Sequence, residues 1–141
     1  MMKVHVIRPR EESPLLARCI ELRRKIFIEE QNVAYEIEQD GLDRDSYHLL
    51  VEDESGFIAT MRAQPKENKI KFGRIAVVRQ RRSQGIGSYI VKEALKLFPE
   101  TMIYLHAQEH AVGFYRSLGF LPTEERTVEA GIAHITMIYT T

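Results

Sequence analysis

The chain has 141 residues, enough for one domain built around one core. Hydrophobic residues make up 44% and charged residues 28%, usage that fits neither a disordered tail nor a fibrous repeat. Lys plus Arg and Asp plus Glu stand at 20 each, and a zero net charge argues against coating nucleic acid or an anionic membrane. The single cysteine, Cys19, excludes an internal disulfide and a multi-Cys zinc site. No apolar run reaches the length of a membrane span, and the charged start lacks a signal peptide's apolar stretch. The expectation is a cytoplasmic single domain over residues 1–141, with no metal, nucleic-acid or membrane partner.

Residues 3–8 alternate Val4 and Val6 with polar neighbours and read as a first strand. Ser13-Pro14 is a helix start, because the hydroxyl can cap free amides and proline suits the first helical position. Leu15, Cys19, Leu22 and Ile26 then share one face, and the helix should run to about Glu30. Cys19 on that face is core rather than nucleophile. Residues 31–46 carry Glu36, Glu38, Asp40, Asp43 and Asp45 with little periodicity and read as a long acidic, solvated loop holding a helical turn.

Residues 47–53 and 57–64 form a predicted hairpin around Glu54-Ser55-Gly56. Residues 69–78 form another strand whose alternation changes phase: Ile70 and Phe72 keep one register, Ile75 and Val77 the other. One extra residue near Gly73, a β-bulge, would do that. A helix with Ile86, Ile90, Ala94 and Phe98 on one face follows and stops at Pro99. Residues 102–107 read as a strand, and Ala111, Phe114, Tyr115 and Leu118 as a helix ended by Gly119. Two final strands turn at Ala130-Gly131. The order β-α-β-β-β-α-β-α-β-β is that of an α/β (α+β) sheet domain with helices on its faces.

The segment from Arg74 to Phe98 carries the strongest local chemistry. Backbone amides at a helix start, with the positive end of the helix dipole behind them, can hold phosphate oxygens. Gly85 and Gly87 leave room for a pyrophosphate, and Arg82 adds charge. No Gly-Lys-Ser/Thr follows, so this is not a Walker loop, and the first glycine of the dinucleotide fingerprint is missing. On its own the pattern also fits a Gly-rich turn with a solvated basic patch.

Two further features narrow the choice. Arg82-x-x-Gly85-x-Gly87 after Ile75-Ala76-Val77-Val78, with Phe114-Tyr115-x-x-x-Gly119-Phe120 one strand and one helix later, resembles the GNAT superfamily of acetyl-CoA-dependent N-acetyltransferases. Phe27-Ile28-Glu29-Glu30-Gln31, Tyr35-Glu36, Asp40-Gly41-x-Asp43 ahead of His48-Leu49, Gly73-Arg74-Ile75-Ala76-Val77, Ala107-Gln108 and Gly131-Ile132-Ala133-His134-Ile135 resemble its small bacterial ElaA-type branch. The resemblance implies the acyl-CoA N-acyltransferase fold, a mixed sheet of about seven strands flanked by about four helices.

It further implies that Ile75, Ala76 and Val77 pair with the cofactor's pantetheine arm and that Arg82, Ser83, Gln84, Gly85, Ile86, Gly87 and Ser88 hold its pyrophosphate. Gln108 stands where many members carry Asn and keeps the amide that can bond the pantetheine. Tyr115 matches the family's tyrosine that protonates the leaving thiolate. The implied reaction is direct transfer of the acetyl group of acetyl-CoA to a primary amine of a small molecule or peptide. An alkyl ammonium with a pKa of roughly 10 must first lose a proton. For that base Glu36, Asp40, Asp43, His48, His106 and His134 all stand open, as they do to a structural reading. The rival functions are an acyl-CoA-binding regulatory module of the same fold and a nucleotide-binding phosphate loop. The final strands could also pair across a homodimer, as GNAT relatives often do.

Overall fold

The computed structural model describes residues 1–139, the side chains of Glu36 and Ile37 excepted. Seven strands form one sheet in the order β1-β2-β3-β4-β5-β7-β6. These are β1 (Lys3–Ile7), β2 (Tyr47–Asp53), β3 (Gly56–Lys66), β4 (Lys69–Val77), β5 (Met102–Gln108), β6 (Phe120–Glu129) and β7 (Ile132–Tyr139). Only β4 and β5 run parallel; every other neighbouring pair is antiparallel. The helices are α1 (Pro14–Arg23), α2 (Tyr35–Glu38), α3 (Ile86–Leu97) and α4 (Val112–Ser117). A seven-stranded mixed sheet with four α-helices is the architecture expected from the motifs.

Alternation along the strands sends apolar side chains to both faces of the sheet. On the α3 face Ile86, Ile90, Val91 and Ala94 pack with Met61, Phe72, Leu105 and Met137. On the α1 face a smaller cluster joins Ile7, Cys19, Leu22, Ile26, Leu50 and Ala76. Cys19 is fully buried there, so it is a core residue as expected.

The phase change in β4 is a bulge. Thr60 pairs with Ala76 but Arg62 pairs with Gly73, so Arg74 and Ile75 together oppose the single residue Met61. Arg74 takes a positive φ of 52° to make the offset. Phe72 before the bulge and Ile75 after it therefore both pack on the α3 side, while Ala76 faces α1.

The first helix departs from expectation. Ser13 caps it, its hydroxyl accepting from the Leu15 amide at 3.2 Å, but α-helical winding ends at Arg23. Arg24–Glu30 winds as a π-helix, closed by the Gln31 amide donating to the Ile26 carbonyl at 3.0 Å. The wider turns keep Ile26 in the core yet bring Phe27 to the cleft described below. Hydrophobic spacing alone does not distinguish the two windings.

Candidate functional site

The parallel pair β4–β5 stays bonded only from Lys69↔Met102 to Phe72↔Leu105. Past that point the strands part, and a cleft of about 530 Å³ opens between them. Gly73, Arg74 and Ile75 form one wall and His106, Ala107 and Gln108 the other, with Tyr115 at one end and Glu129 and His134 at the other. The cleft thus passes through the sheet. Tyr115 belongs to the α3-side cluster, whereas His106 and Gln108 alternate with the buried Leu105 and Ala107 and so face α1.

The backbone of β4 is turned into this gap. The Val78 amide donates to the Ile58 carbonyl at 2.9 Å, which fixes the side facing β3. By strand alternation the amides and carbonyls of Val77 and Ile75 face the opposite edge, where β5 has departed. Unpaired amides along a strand edge can bond an extended, amide-bearing ligand, or stabilise negative charge on a nearby oxygen.

The Gly-rich loop lies beyond the end of β4. Gly85 is the N-cap of α3 with φ +79°, a conformation that favours glycine. A Cβ on Gly87 would come within 3.4 Å of the Phe114 ring, so the helix start sits close against α4. Helix geometry leaves the Ile86, Gly87 and Ser88 amides without intrahelical acceptors. These residues, with Arg82, Ser83 and Gln84, cluster at the end of β4 and do not line the cleft itself. The loop's arginines are engaged within the chain. Arg82 grips Glu30 at 2.5 Å and donates to the Val77 carbonyl at 2.9 Å. Arg79 lies 3.4 Å from the same Glu30, and Arg81 pairs with Asp53 at 2.5 Å.

Tyr115 is half-buried between Phe114 and Phe120, with ring centroids 5.0 and 6.0 Å away. Burial pushes its hydroxyl up to about 12, so the phenol keeps its proton at neutral pH.

The acidic segment is not solvated. Arg23 of α1 pairs with Glu38 at 2.7 Å and Asp43 at 2.7 Å. Arg62 of β3 pairs with Asp40 at 2.8 Å and Asp43 at 3.2 Å. Arg74 at the bulge closes the circuit, reaching Glu38 at 2.8 Å and Asp40 at 3.2 Å. Three arginines and three carboxylates alternate in a closed ring that fastens the 38–43 segment to the sheet. Burial alone would raise Asp40, but the Arg62 hydrogen bonds, the Leu42 amide and the arginine charges hold it at about 2. Asp43 is lowered against its burial chiefly by the hydrogen bond from Arg23, so neither carboxylate is a competent base near neutrality. The ring is neutral as a unit, so these carboxylates leave no net negative charge to attract a cationic amine.

Among the remaining base candidates, the Glu36 side chain lies outside the described residues. His48 is buried against the Asp43 carbonyl at 2.8 Å, is held below its ordinary value by that burial, and does not line the cleft. His106 and His134 do line it. His106 bonds Glu129 through Nδ1, and His134 bonds the Ile132 carbonyl through Nδ1 at 2.7 Å. Lys71 lines the β4 wall of the cleft, and burial lowers its ammonium. Glu129, Lys71 and His110, which also lines the cleft, were missed in the sequence. The only local sign of Glu129 is its place just before the Ala130-Gly131 turn.

Residues 19–141 match the family described as Acetyltransferase (GNAT) domain. The chain belongs to the GNAT acetyltransferase family. It is 34% identical to the uncharacterised N-acetyltransferase YjcF of Bacillus subtilis, covering 94% of this chain and 96% of that one. It is 32% identical to the protein ElaA of Escherichia coli, over 86% and 85% of the two chains. The crystal structure of Escherichia coli ElaA superposes with a TM-score of 0.88 at 29% identity, covering 99% of this chain and 100% of that one. An acyl-CoA N-acyltransferase from Pseudomonas aeruginosa gives 0.87 at 27% identity, with coverage of 99% and 100%. Acetyltransferase chemistry follows from the family, and the ElaA-type likeness read in the motifs is borne out.

Proposed function

We propose that this GNAT chain is an N-acetyltransferase that uses acetyl-CoA to acetylate a primary amine of a small molecule or peptide. One observation carries the reading: β4 parts from β5 with the Ile75–Val77 backbone edge turned into the gap, and Tyr115 lines the same cleft. The residues fit the cofactor. An extended arm can pair with that edge, and Gln108 on the facing wall offers a further amide. The amides of Ile86, Gly87 and Ser88 and the backbone of residues 82–85 suit a pyrophosphate. Arg82 joins them by exchanging the Glu30 carboxylate for phosphate oxygens.

Acetyl-CoA supplies an activated thioester. The amides of the bulged strand stabilise charge developing on the carbonyl oxygen. Tyr115 holds a hydrogen bond to the departing sulfur. Full proton transfer from a phenol at about 12 to a thiolate whose conjugate acid lies near 8.5 is uphill. The role supported is therefore donation in the transition state rather than outright acidity. The test is release of free thiol from acetyl-CoA in the presence of primary amines. Tyr115→Phe should lower kcat about 100-fold while leaving stabilisation by acetyl-CoA intact. Cofactor binding without turnover on any amine would replace the enzyme by a binding module.

A further inference from the structure

The acceptor amine must shed a proton as it attacks, and the α1 side of the cleft holds one group built to take it. We infer that His106 is the general base of the acetyl transfer and that Glu129 is the residue that orients it. The inference rests on the transfer reading above.

The geometry selects His106 in three steps. A carboxylate only accepts hydrogen bonds, so the Nδ1 atom that meets Glu129 carries the ring's hydrogen. In the neutral ring, the form a base must take, Nε2 then bears the lone pair, and no described residue bonds it. His106 also stands one residue past the last β4–β5 pair, Phe72↔Leu105, where the gap begins. His134 shares the tautomer logic but lies on β7, one strand further from the gap, and its Nδ1 partner is the neutral Ile132 carbonyl. Only His106 gains a carboxylate to balance the imidazolium that forms when it accepts a proton.

The fold supplies this pairing. Glu129 is the last residue of β6, and Ala130 and Gly131 turn the chain with φ of 52° and 77° so that Ile132 lies opposite it. β7 lies between β5 and β6, so the hairpin tip reaches across it to bring Glu129 to His106. The other charged or titratable groups facing this corner or lining the cleft beside it are Lys71 from β4, His134 from β7, Tyr104 from β5, His110 just beyond β5, and Arg62, Arg74 and Glu38 of the ion-pair ring. Burial alone would raise the Glu129 carboxyl, but the His106 hydrogen bond and the charges of Lys71 and the two histidines hold it below its ordinary value.

The step balances without a co-reactant. The acceptor first gives its ammonium proton to solvent; the neutral amine nitrogen then forms a bond to the acetyl carbon and becomes acidic as it does so. Its proton passes to His106 Nε2, and the C–S bond breaks with its electron pair on sulfur beside Tyr115. His106 returns its proton to solvent and the thiolate takes one up. The base and the hydrogen-bond donor thus work from opposite faces of the sheet, one on the attacking atom and one on the leaving atom.

The experiment measures thiol release from acetyl-CoA against pH with n-butylamine, spermidine and a lysine peptide as acceptors. His106→Gln should lower kcat by about 10² to 10⁴-fold, leave the KM for acetyl-CoA unchanged, and reduce the acid-side fall of kcat/KM to the part that protonation of the acceptor amine itself imposes. Glu129→Gln should lower kcat less, and nitrogen NMR should show the His106 hydrogen moving from Nδ1 toward Nε2. Equal stabilisation of both variants by acetyl-CoA checks that they are folded. Turnover that survives His106→Gln undiminished, with a pH profile identical to that of the unsubstituted protein, overturns the assignment while leaving the transfer reading intact. An Nε2-protonated His106 in the unsubstituted protein also overturns it. No thiol release by the unsubstituted protein with any acceptor removes the transfer reading and the base together.

Discussion

The two faces of the sheet are held by different chemistry. On the α3 side the contacts are apolar: Ile90, Val91 and Ala94 of α3 are fully buried on Met61, Phe72 and Leu105. On the α1 side a small apolar cluster is supplemented by the ring of Arg23, Arg62, Arg74, Glu38, Asp40 and Asp43. An apolar face tolerates small shifts and is indifferent to pH. A closed ring of buried charges fixes where each member sits but is costly to open, since removing one partner strands another charge. That division matches the functions assigned to the faces. The α3 side carries a strand edge and a helix start, whereas the α1 side must hold the bulge residue Arg74 and an irregular segment beside the cleft.

The largest effect expected from this contrast is on stability. Arg23→Ala should destabilise the fold by about 3–5 kcal/mol, because it opens the ring and takes from the buried Glu38 and from Asp43 one of the two arginines each one pairs with. Ile90→Ala on the other face should cost about 2–5 kcal/mol through lost burial and a cavity. Size alone does not separate the two faces, but pH does. Asp43 is held below an ordinary 3.8, against its burial, chiefly by the hydrogen bond from Arg23, so the contribution of that pair is complete above the ordinary value and is lost as pH falls through the lowered one. Urea unfolding at pH 7 and pH 3 should therefore show the Arg23→Ala penalty shrinking on acidification and the Ile90→Ala penalty unchanged. An Arg23 penalty independent of pH would mean that packing of the arginine, rather than its charge, holds that face.

A smaller effect tests the link between the faces. Glu30, at the end of the π-helical segment, occupies Arg82 and Arg79 beside the helix start proposed for the pyrophosphate. Glu30→Ala removes a negative charge and frees both guanidinium groups. Calorimetry should show acetyl-CoA binding a few-fold tighter, the small effect expected of an exposed ion pair. Weaker binding would mean that Glu30 positions Arg82 for the cofactor instead of competing with it.

The same contrast explains what could be read before the structure. The features of the α3 side lie close together along the chain. The phase change between Phe72 and Ile75 announces the bulge, and Arg82, Gly85 and Gly87 follow within fifteen residues of it. Local periodicity and turn chemistry are visible at that range. The α1 side is assembled from remote pairs: Glu30 with Arg82 across 52 residues, Arg23 with Glu38 across 15, His106 with Glu129 across 23. A carboxylate looks solvated in a sequence until strand order supplies its cation. Asp40 and Asp43 therefore read as a free acidic loop, and Glu129 did not stand out. The π-helical turn was hidden for a related reason, since one residue more per turn barely disturbs a short hydrophobic stripe.

The central claim is that the gap between β4 and β5 and the start of α3 form one continuous site for acetyl-CoA. Thermal unfolding with acetyl-CoA, free CoA and 3′,5′-ADP tests it directly. Acetyl-CoA at a hundredfold excess over Kd should stabilise the fold by about 2.7 kcal/mol. The nucleotide at the same concentration should give a clearly smaller shift, because it cannot reach the Ile75–Val77 edge. Equal stabilisation by 3′,5′-ADP would reduce the site to a phosphate loop, and no shift at millimolar acetyl-CoA would contradict the account altogether.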